Sequence, residues 1–257
     1  MAEYRFDPDQ ARERLVKKIR EFVTNAGLTR VVLGISGGKD STVAAALCAR
    51  ALGAANVYGI MLPDGVQKDI SDSMNVCRAT GINHRIINIS EMHTALLKAV
   101  DAGSNGEITD FPVAFSEESN VNVPPRLRMT ALRYVAQAMG AFLCGTGNLS
   151  EATVGYCTKD GDTSCDFNPL GTLTSVEVVQ MGLTMPELPR ELVQKTPDDG
   201  LSGIPDEVKM GITYRQIHDF IRSGSCGDPA MDEKIAKREK ANLHKRRTPT
   251  ILDAWSD

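Results

Sequence analysis

The sequence predicts an α/β fold, a doubly wound parallel sheet flanked by helices. Short apolar runs that favour strands alternate with stretches of helical character, at residues 31–35, 57–62, 85–89 and 141–145. Such alternation is typical of a parallel sheet with helices on both faces. Two glycine-containing segments, residues 34–41 and 145–147, follow predicted strands. Because ligands bind beyond the carboxyl ends of such strands, we expect a binding site there.

The helices are predicted from periodicity and from their end signals. The pair Asp7-Pro8 favours a helix start, and apolar residues recur behind it at helical spacing, namely Ala11, Leu15, Ile19, Phe22 and Val23. Pro124-Pro125 opens a second long helix that runs to about Met139. Other helices are predicted at residues 42–52, 174–181, 213–222 and 231–244. Polar stretches rich in Gly, Asp and Pro predict loops at residues 156–166 and 197–205.

Composition limits the classes of function. A chain of 257 residues with 42% hydrophobic residues suits one substantial domain with a buried core. The net charge of −4 and the pI near 5.7 argue against a general nucleic-acid binder. Residues 1–20 have no apolar leader-like segment, and no segment approaches 18 uninterrupted apolar residues, so we expect a cytoplasmic protein without a membrane partner. The six cysteines include no Cys-x-x-Cys pair and are interpreted as free thiols.

Residues 34–41 read Gly-Ile-Ser-Gly-Gly-Lys-Asp-Ser and predict a loop that holds a polyphosphate. Adjacent glycines let backbone N–H groups approach a phosphate, and the following helix N-terminus adds its positive end. Asp40 would repel a bare anion, so a bridging divalent cation is indicated. The sequence matches neither a Walker A loop, because Asp40 follows Lys39, nor the Gly-x-Gly-x-x-Gly fingerprint, because Ser36 replaces a glycine. The alternative is an ordinary strand-to-helix turn.

The segment from Ser36 to Ser41 resembles the pyrophosphate loop of the N-type ATP pyrophosphatases, which cleave ATP between its α and β phosphates. Within that superfamily, Thr146 to Glu151, then Gly155 to Asp162, and then Asp166 resemble the NAD synthetase family. Further matching segments span most of the chain: Arg126 to Met129, Lys195 to Pro197, Asp206 to Tyr214, and His244 to Arg246.

The resemblance implies a Rossmann-like sheet of the adenine nucleotide alpha hydrolase type and a homodimer. It implies one NAD synthetase domain over residues 1–257, without a glutaminase domain. In this family ATP adenylates deamido-NAD with release of pyrophosphate, and ammonia then displaces AMP to give NAD. Mg²⁺ should matter more than the helix dipole. A bound cation supplies several kcal/mol, whereas a helix N-terminus supplies about 0.3 to 2 kcal/mol.

The resemblance also implies roles for individual residues. The residues of the ATP site would be Gly34, Ile35, Ser36, Gly37, Gly38, Lys39, Asp40, Ser41 and Thr146. Asp40 and Glu151 would bind Mg²⁺. The deamido-NAD site would comprise Arg126, Lys159, Asp166, His244 and Lys245. Catalysis would involve Asp40, Lys159 and Asp162, the last as the acceptor of ammonium or of its proton.

Two positions depart from the family pattern. Ser175 stands where many members have a lysine that contacts ATP, and Asp198 stands where many have Ser or Thr. Both positions remain candidates for the ATP site. Our hypothesis is that Lys39 or Lys195 supplies the missing positive charge.

Other interpretations stay open at this level. Arg126 could be a solvated helix arginine, Glu151 a helix-start carboxylate and Asp162 a turn residue. The basic stretch at residues 234–247 could be a solvated helix face. The rival functions are a tRNA-modifying adenylating enzyme of the same superfamily and a non-catalytic nucleotide-binding module. The second would be favoured by loss of Asp40 or Glu151, and both are present.

Overall fold

The fold is centred on a parallel sheet with the strand order β3-β2-β1-β4. The computed structural model of the chain describes residues 4–67, 69–104, 116–197 and 204–246. The strands are β1 (Val31–Gly34), β2 (Val57–Met61), β3 (Asn83–Ile86) and β4 (Phe142–Cys144). Because β1 lies between β2 and β4, the strand order reverses there, and the crevice between the ends of β1 and β4 is the expected ligand position.

Helices surround this sheet in the described part of the chain. They are α1 (Pro8–Asn25), α2 (Lys39–Leu52), α3 (Ile70–Thr80), α4 (Ser90–Ser104), α5 (Glu117–Val121), α6 (Val123–Ala138), α7 (Leu149–Val154), α8 (Ser175–Gly182), α9 (Arg190–Val193), α10 (Asp206–Met210), α11 (Tyr214–Ser223) and α12 (Pro229–Asn242). Short 3-10 helices occur at Ala54–Asn56 and Leu243–Lys245. None of the helices that the structure describes is long and apolar enough to cross a membrane.

The sheet is buried on both faces, as parallel sheets usually are. On one face Leu33 packs with Leu47 of α2 and with Met181 of α8. On the other face Val32 and Leu143 pack with the buried side of α6. A separate cluster joins α7 to the C-terminal helices through Val154, Met210, Ile212, Tyr214, Ile217 and Ile235. The C-terminal helices therefore pack on α7, the helix that follows β4, and α11 also contacts α8.

The predicted fold class is confirmed, and most long elements begin or end within three residues of the prediction. The third strand was misplaced, because β3 spans Asn83–Ile86 and not residues 85–89. The apolar residues Ile87 and Ile89 lie beyond it in an extended segment whose N–H groups donate to Met61 O and Pro63 O, so they continue the contact without a full ladder. Helix α2 begins at Lys39, not at residue 42, because Gly38 already serves as its N-cap.

Candidate active site

The glycine loop lies between the end of β1 and the start of α2. The hydroxyls of Ser36 and Ser41 are 3.1 Å apart, and Ser41 Oγ donates to Gly38 O at 3.1 Å. Gly38 is the N-cap of α2 and makes no side-chain cap hydrogen bond. The N-terminal N–H groups of a 14-residue helix thus face the loop without a side-chain acceptor at the cap, which is the arrangement that binds phosphate.

Gly37 allows the loop to approach α3. Its φ is +81°, and a Cβ at this position would lie 2.9 Å from both Asp72 Cβ and Ser73 N. Residues with a Cβ rarely adopt this φ, and the neighbouring atoms include rigid backbone. Glycine is therefore required here both by conformation and by space.

The structure brings Asp40 and Glu151 to one place. Asn148 follows β4 and donates its side-chain amide to Asp40 Oδ1 at 3.1 Å. Its backbone N–H donates to Glu151 Oε2 at 3.0 Å, and its Oδ1 accepts from the Glu151 N–H, which completes the capping box of α7. Asn148 is itself 1% exposed. Asn148 was not predicted as a site residue, although the Asn-x-x-Glu spacing is a capping-box signal.

The two carboxylates repel each other in the absence of a cation. Burial and the neighbouring Asp40 carboxylate raise the pKa of Glu151 to about 8. Two like charges that share a half-buried position are the donor set that a divalent cation neutralises. The residues present therefore fit Mg²⁺. Among the described residues, no cluster of three or more His, Cys, Asp or Glu side chains could bind a metal by itself.

Lys39 points into the protein and not toward the mouth of the loop. It is 4% exposed, its Nζ lies 2.8 Å from Asp40 Oδ2, and it stands 5.0 Å from the centroid of the Tyr214 ring. Burial lowers the pKa of Lys39, but the carboxylates of Asp40, Glu151 and Asp206 outweigh this effect and raise it above its ordinary value. The ammonium is therefore retained inside the site.

Beneath Lys39, two tyrosines converge on one buried carboxylate. The Tyr156 hydroxyl donates to Asp206 Oδ1 at 3.0 Å, and the Tyr214 hydroxyl donates to Asp206 Oδ2 at 3.3 Å. Asp206 is 6% exposed, and its N–H donates to Pro197 O at 3.0 Å. This hub joins the segment after α7, the start of α10 and the segment after α9. It was not predicted as part of the site, because its members come from three distant parts of the sequence.

The polar segment after α7 brings several predicted residues together. Arg126 Nε donates to Lys159 O at 3.3 Å, so these two predicted dinucleotide contacts are neighbours. Asp162 Oδ1 accepts from the Thr158 N–H at 2.6 Å. Although Asp162 as a residue is exposed, the surrounding protein desolvates its carboxylate and raises its pKa above its ordinary value. A carboxylate with a raised pKa suits exchange of a proton with ammonium.

Asp166 is held at the end of β4. Arg133 NH1 forms an ion pair with Asp166 Oδ1, and the Leu143 N–H donates to Asp166 Oδ2 at 2.7 Å. Both carboxylate oxygens therefore already have partners. The predicted place of Asp166 in the deamido-NAD site stays a prediction.

The C-terminal basic residues divide into two kinds. Lys245 Nζ donates to Gly155 O and to Cys157 O, both at 2.9 Å, and so anchors the start of the segment after α7. His244 is exposed, and its Nδ1 lies 3.2 Å from Ala241 O. Lys245 thus binds the backbone of the segment that carries the predicted dinucleotide site, whereas His244 lies on the surface.

The positions that depart from the family pattern are not equivalent. Ser175 is 3% exposed, and its N–H donates to Ser150 Oγ at 3.1 Å, so its position does not favour the predicted ATP contact. Lys195 Nζ lies 2.8 Å from Asp69 Oδ2 and 2.7 Å from Asp72 Oδ2, close to Gly37. Asp198 lies outside the described residues. Thr146 follows β4 as predicted and is half-buried.

Comparison with known proteins gives consistent matches over the chain. The family model described as NAD synthase matches residues 11–249. A curated relative from Archaeoglobus fulgidus, named NH(3)-dependent NAD(+) synthetase, is 35% identical over 93% of this chain and 94% of its own length.

Solved structures agree in fold. A structure described as NMN synthetase from Francisella tularensis has a TM-score of 0.86 and 28% identity, covering 97% of this chain and 100% of that one. The NH3-dependent NAD synthetase from Campylobacter jejuni, in complex with the nitrate ion, has a TM-score of 0.76 and 27% identity. It covers 96% of this chain and 100% of its own.

Proposed function

Because the chain belongs to the NAD synthase family and is an ammonia-dependent NAD synthetase, a ligase, we propose that it performs both half-reactions in the crevice between β1 and β4. ATP and deamido-NAD are its nucleotide substrates. The observation that carries this placement is the convergence of Asp40 and Glu151 on Asn148 beside the glycine loop.

The first half-reaction activates a carboxylate. One carboxylate oxygen of deamido-NAD attacks the α-phosphorus of ATP, and the bond to the bridging oxygen breaks so that pyrophosphate leaves. The glycine loop and the N-terminus of α2 would hold the departing anion. In the second half-reaction ammonia attacks the activated carbonyl carbon, AMP leaves with its electron pair, and one proton is lost to give the amide.

We assign the Mg²⁺ ligands to Asp40 and Glu151, whose mutual repulsion fits a divalent cation. When bound, Mg²⁺ would neutralise charge on the phosphates as pyrophosphate departs. Asp162 would receive the proton of the attacking ammonia. Arg126 and Lys159, which are neighbours, would bind deamido-NAD, as expected from the resemblance.

The direct test is to incubate the purified chain with ATP, Mg²⁺, ammonium and deamido-NAD and to measure AMP, pyrophosphate and NAD. Equal amounts of all three products are expected. Glutamine is expected not to replace ammonium, since the curated relatives that match over nearly their full length are named NH(3)-dependent. AMP release that does not depend on deamido-NAD would point to another acceptor, such as a tRNA, and no turnover at all would favour a nucleotide-binding module.

A second candidate acceptor is nicotinic acid mononucleotide, the carboxylate from which amidation would give NMN. It is favoured by the TM-score of 0.86 to the Francisella NMN synthetase, against 0.76 to the Campylobacter NAD synthetase. The curated relatives at 30–37% identity favour deamido-NAD. Competition between the two acceptors in one reaction decides between them, because the ratio of products measures the ratio of the kcat/KM values.

The assembly and the location are further proposals. Apolar side chains are exposed on neighbouring helices, namely Leu96 and Leu97 on α4, Val121 on α5 and Tyr134 on α6. An exposed apolar face of this kind is typical of a subunit interface and supports the expected homodimer. Sedimentation of the wild type and of a Leu97→Lys variant tests this, since the variant should be monomeric. The cytoplasmic location stays a prediction.

A further inference from the structure

A lysine at the first position of a helix is placed against its dipole. Lys39 begins α2, where the helix N-terminus is positive and a cation is unfavourable. It is also 4% exposed, so water does not compensate its charge. A lysine that only filled space would be destabilising in this position. Its retention in the folded core therefore has to be explained by its surroundings.

Those surroundings are acidic and come from separate segments. Lys39 Nζ lies 2.8 Å from Asp40 Oδ2, while Asp40 Oδ1 accepts from the side-chain amide of Asn148. Each oxygen of Asp40 thus has one fixed donor. Glu151 of α7 and Asp206 of α10 also act electrostatically on Lys39. The ammonium of Lys39 is therefore a counter-charge shared by three carboxylates, those of Asp40, Glu151 and Asp206.

The ring of Tyr214 fixes the other side of the ammonium. Its centroid is 5.0 Å from Lys39 Nζ, within the range of a cation–π contact. The Tyr214 hydroxyl donates to Asp206, so the same side chain contacts both the cation and one of its carboxylates. Lys39 is therefore enclosed between α2 and α11 and is not directed toward the mouth of the glycine loop.

We propose that Lys39 is a positioning residue whose ammonium acts as a fixed internal counter-ion, holding Asp40 and its neighbouring carboxylates in place before ATP and metal arrive. The inference rests on the proposed metal site at Asp40 and Glu151. It differs from the hypothesis that Lys39 binds ATP phosphates directly. A counter-ion lowers the repulsion between the carboxylates and incoming polyphosphate, and saturating Mg²⁺ can take over that task. A direct phosphate contact cannot be replaced in this way.

The test uses Lys39→Met and Lys39→Gln, with Lys17→Met as the matched control. The Gln side chain can still donate a hydrogen bond to Asp40 but carries no charge. The Gln variant therefore keeps the proposal testable if the Met variant does not fold. Lys17 is an exposed lysine of α1, so its loss makes the same change in net charge away from the site. The probes are Mn²⁺ alone, followed by electron paramagnetic resonance, and an ATP analogue with a methylene group between its α and β phosphorus atoms, followed by calorimetry.

Without nucleotide, both Lys39 variants are expected to bind Mn²⁺ at least tenfold more tightly than the wild type, because the carboxylates lose their counter-charge. Their affinity for the analogue should fall at least fivefold at low Mg²⁺ and return to within twofold of wild type at saturating Mg²⁺. Lys17→Met should match the wild type in both measurements.

Two results would overturn the proposal. Lys39 variants that behave as Lys17→Met would show that the ammonium is not the counter-ion of this site. A loss of analogue affinity that persists at saturating Mg²⁺ would assign Lys39 to the phosphates themselves. The assignment of Asp40 as a metal ligand is tested separately. If that assignment is wrong, Asp40→Asn should bind Mn²⁺ in the presence of the analogue as tightly as the wild type does.

Discussion

Asp40 and Glu151 are joined through a single residue, since Asn148 donates its side-chain amide to the first and its backbone N–H to the second. The first carboxylate follows β1 and the second follows β4, and these strands are paired in the sheet. The relative position of the two carboxylates is therefore set by the sheet itself and by one capping residue.

Asp40→Asn and Glu151→Gln should each slow adenylation by about 100-fold or more, because a bound cation contributes several kcal/mol and each factor of ten corresponds to about 1.36 kcal/mol. Both changes preserve shape. Pyrophosphate release in a single turnover measures the step, and sedimentation checks that assembly is unchanged. Rates close to wild type at saturating Mg²⁺ would exclude these residues as metal ligands.

Gly37→Ala should abolish ATP binding, because a Cβ would lie 2.9 Å from Asp72 Cβ and from Ser73 N. Gly53→Ala is a matched control, since Gly53 has the same φ of +81° but nothing within 4 Å of its Cβ position. The control should lose only about 1 to 3 kcal/mol of stability, because residues with a Cβ rarely adopt its φ of +81° and ψ of 139°, and should keep its affinity for ATP. Calorimetric titration with ATP separates the two variants. Equal affinities would show that the close approach to α3 is unimportant.

Lys245→Met should raise the KM for deamido-NAD about tenfold and change the KM for ATP little, since Lys245 anchors the carbonyls of Gly155 and Cys157. Hydrogen bonds to charged groups contribute about 1.5 to 3 kcal/mol, so the start of the segment after α7 would be released. Lys240→Met, at an exposed position of α12, is the control. A larger effect on ATP than on deamido-NAD would contradict this assignment.

Acid should destabilise the protein through Glu177. Burial raises the pKa of this carboxylate, but Arg222, Tyr4 and the Thr174 N–H outweigh burial and leave the pKa below the ordinary value of 4.5. The unfolded chain then takes up the proton first. The stabilisation is complete above pH 4.5 and is lost as the pH falls through the lower value of the folded state.

Glu177→Gln should remove this part of the pH dependence and lower the free energy of unfolding by about 3 to 5 kcal/mol, because it leaves Arg222 without its partner in a largely buried position. Urea unfolding between pH 3 and pH 7, chosen to bracket the ordinary value of 4.5, measures both quantities. Parallel pH profiles for the variant and the wild type would show that Glu177 does not titrate as described.

The glycine loop could be predicted from the sequence because its requirements are local: a strand, adjacent glycines and a helix start. The meeting of Asp40 with the region of Glu151 followed from the rule that loops gather at the carboxyl ends of parallel strands. The contact of Lys39 with Tyr214 could not be predicted, because Tyr214 belongs to α11, which is remote in the sequence. Asp206 was missed as a site residue for the same reason. The short helices α9 and α10 have four and five residues, too few for periodicity to reveal them.

The pairing of β1 with β4 divides the site between two parts of the chain. A cut between α4 and α5 would leave Lys39 and Asp40 on one fragment, and Asn148 and Glu151 on the other. Neither fragment would hold both carboxylates, so neither could bind the cation with two protein ligands. Turnover by the recombined fragments would therefore report the moment at which β4 docks beside β1, and the chemistry itself would serve as a reporter of sheet assembly.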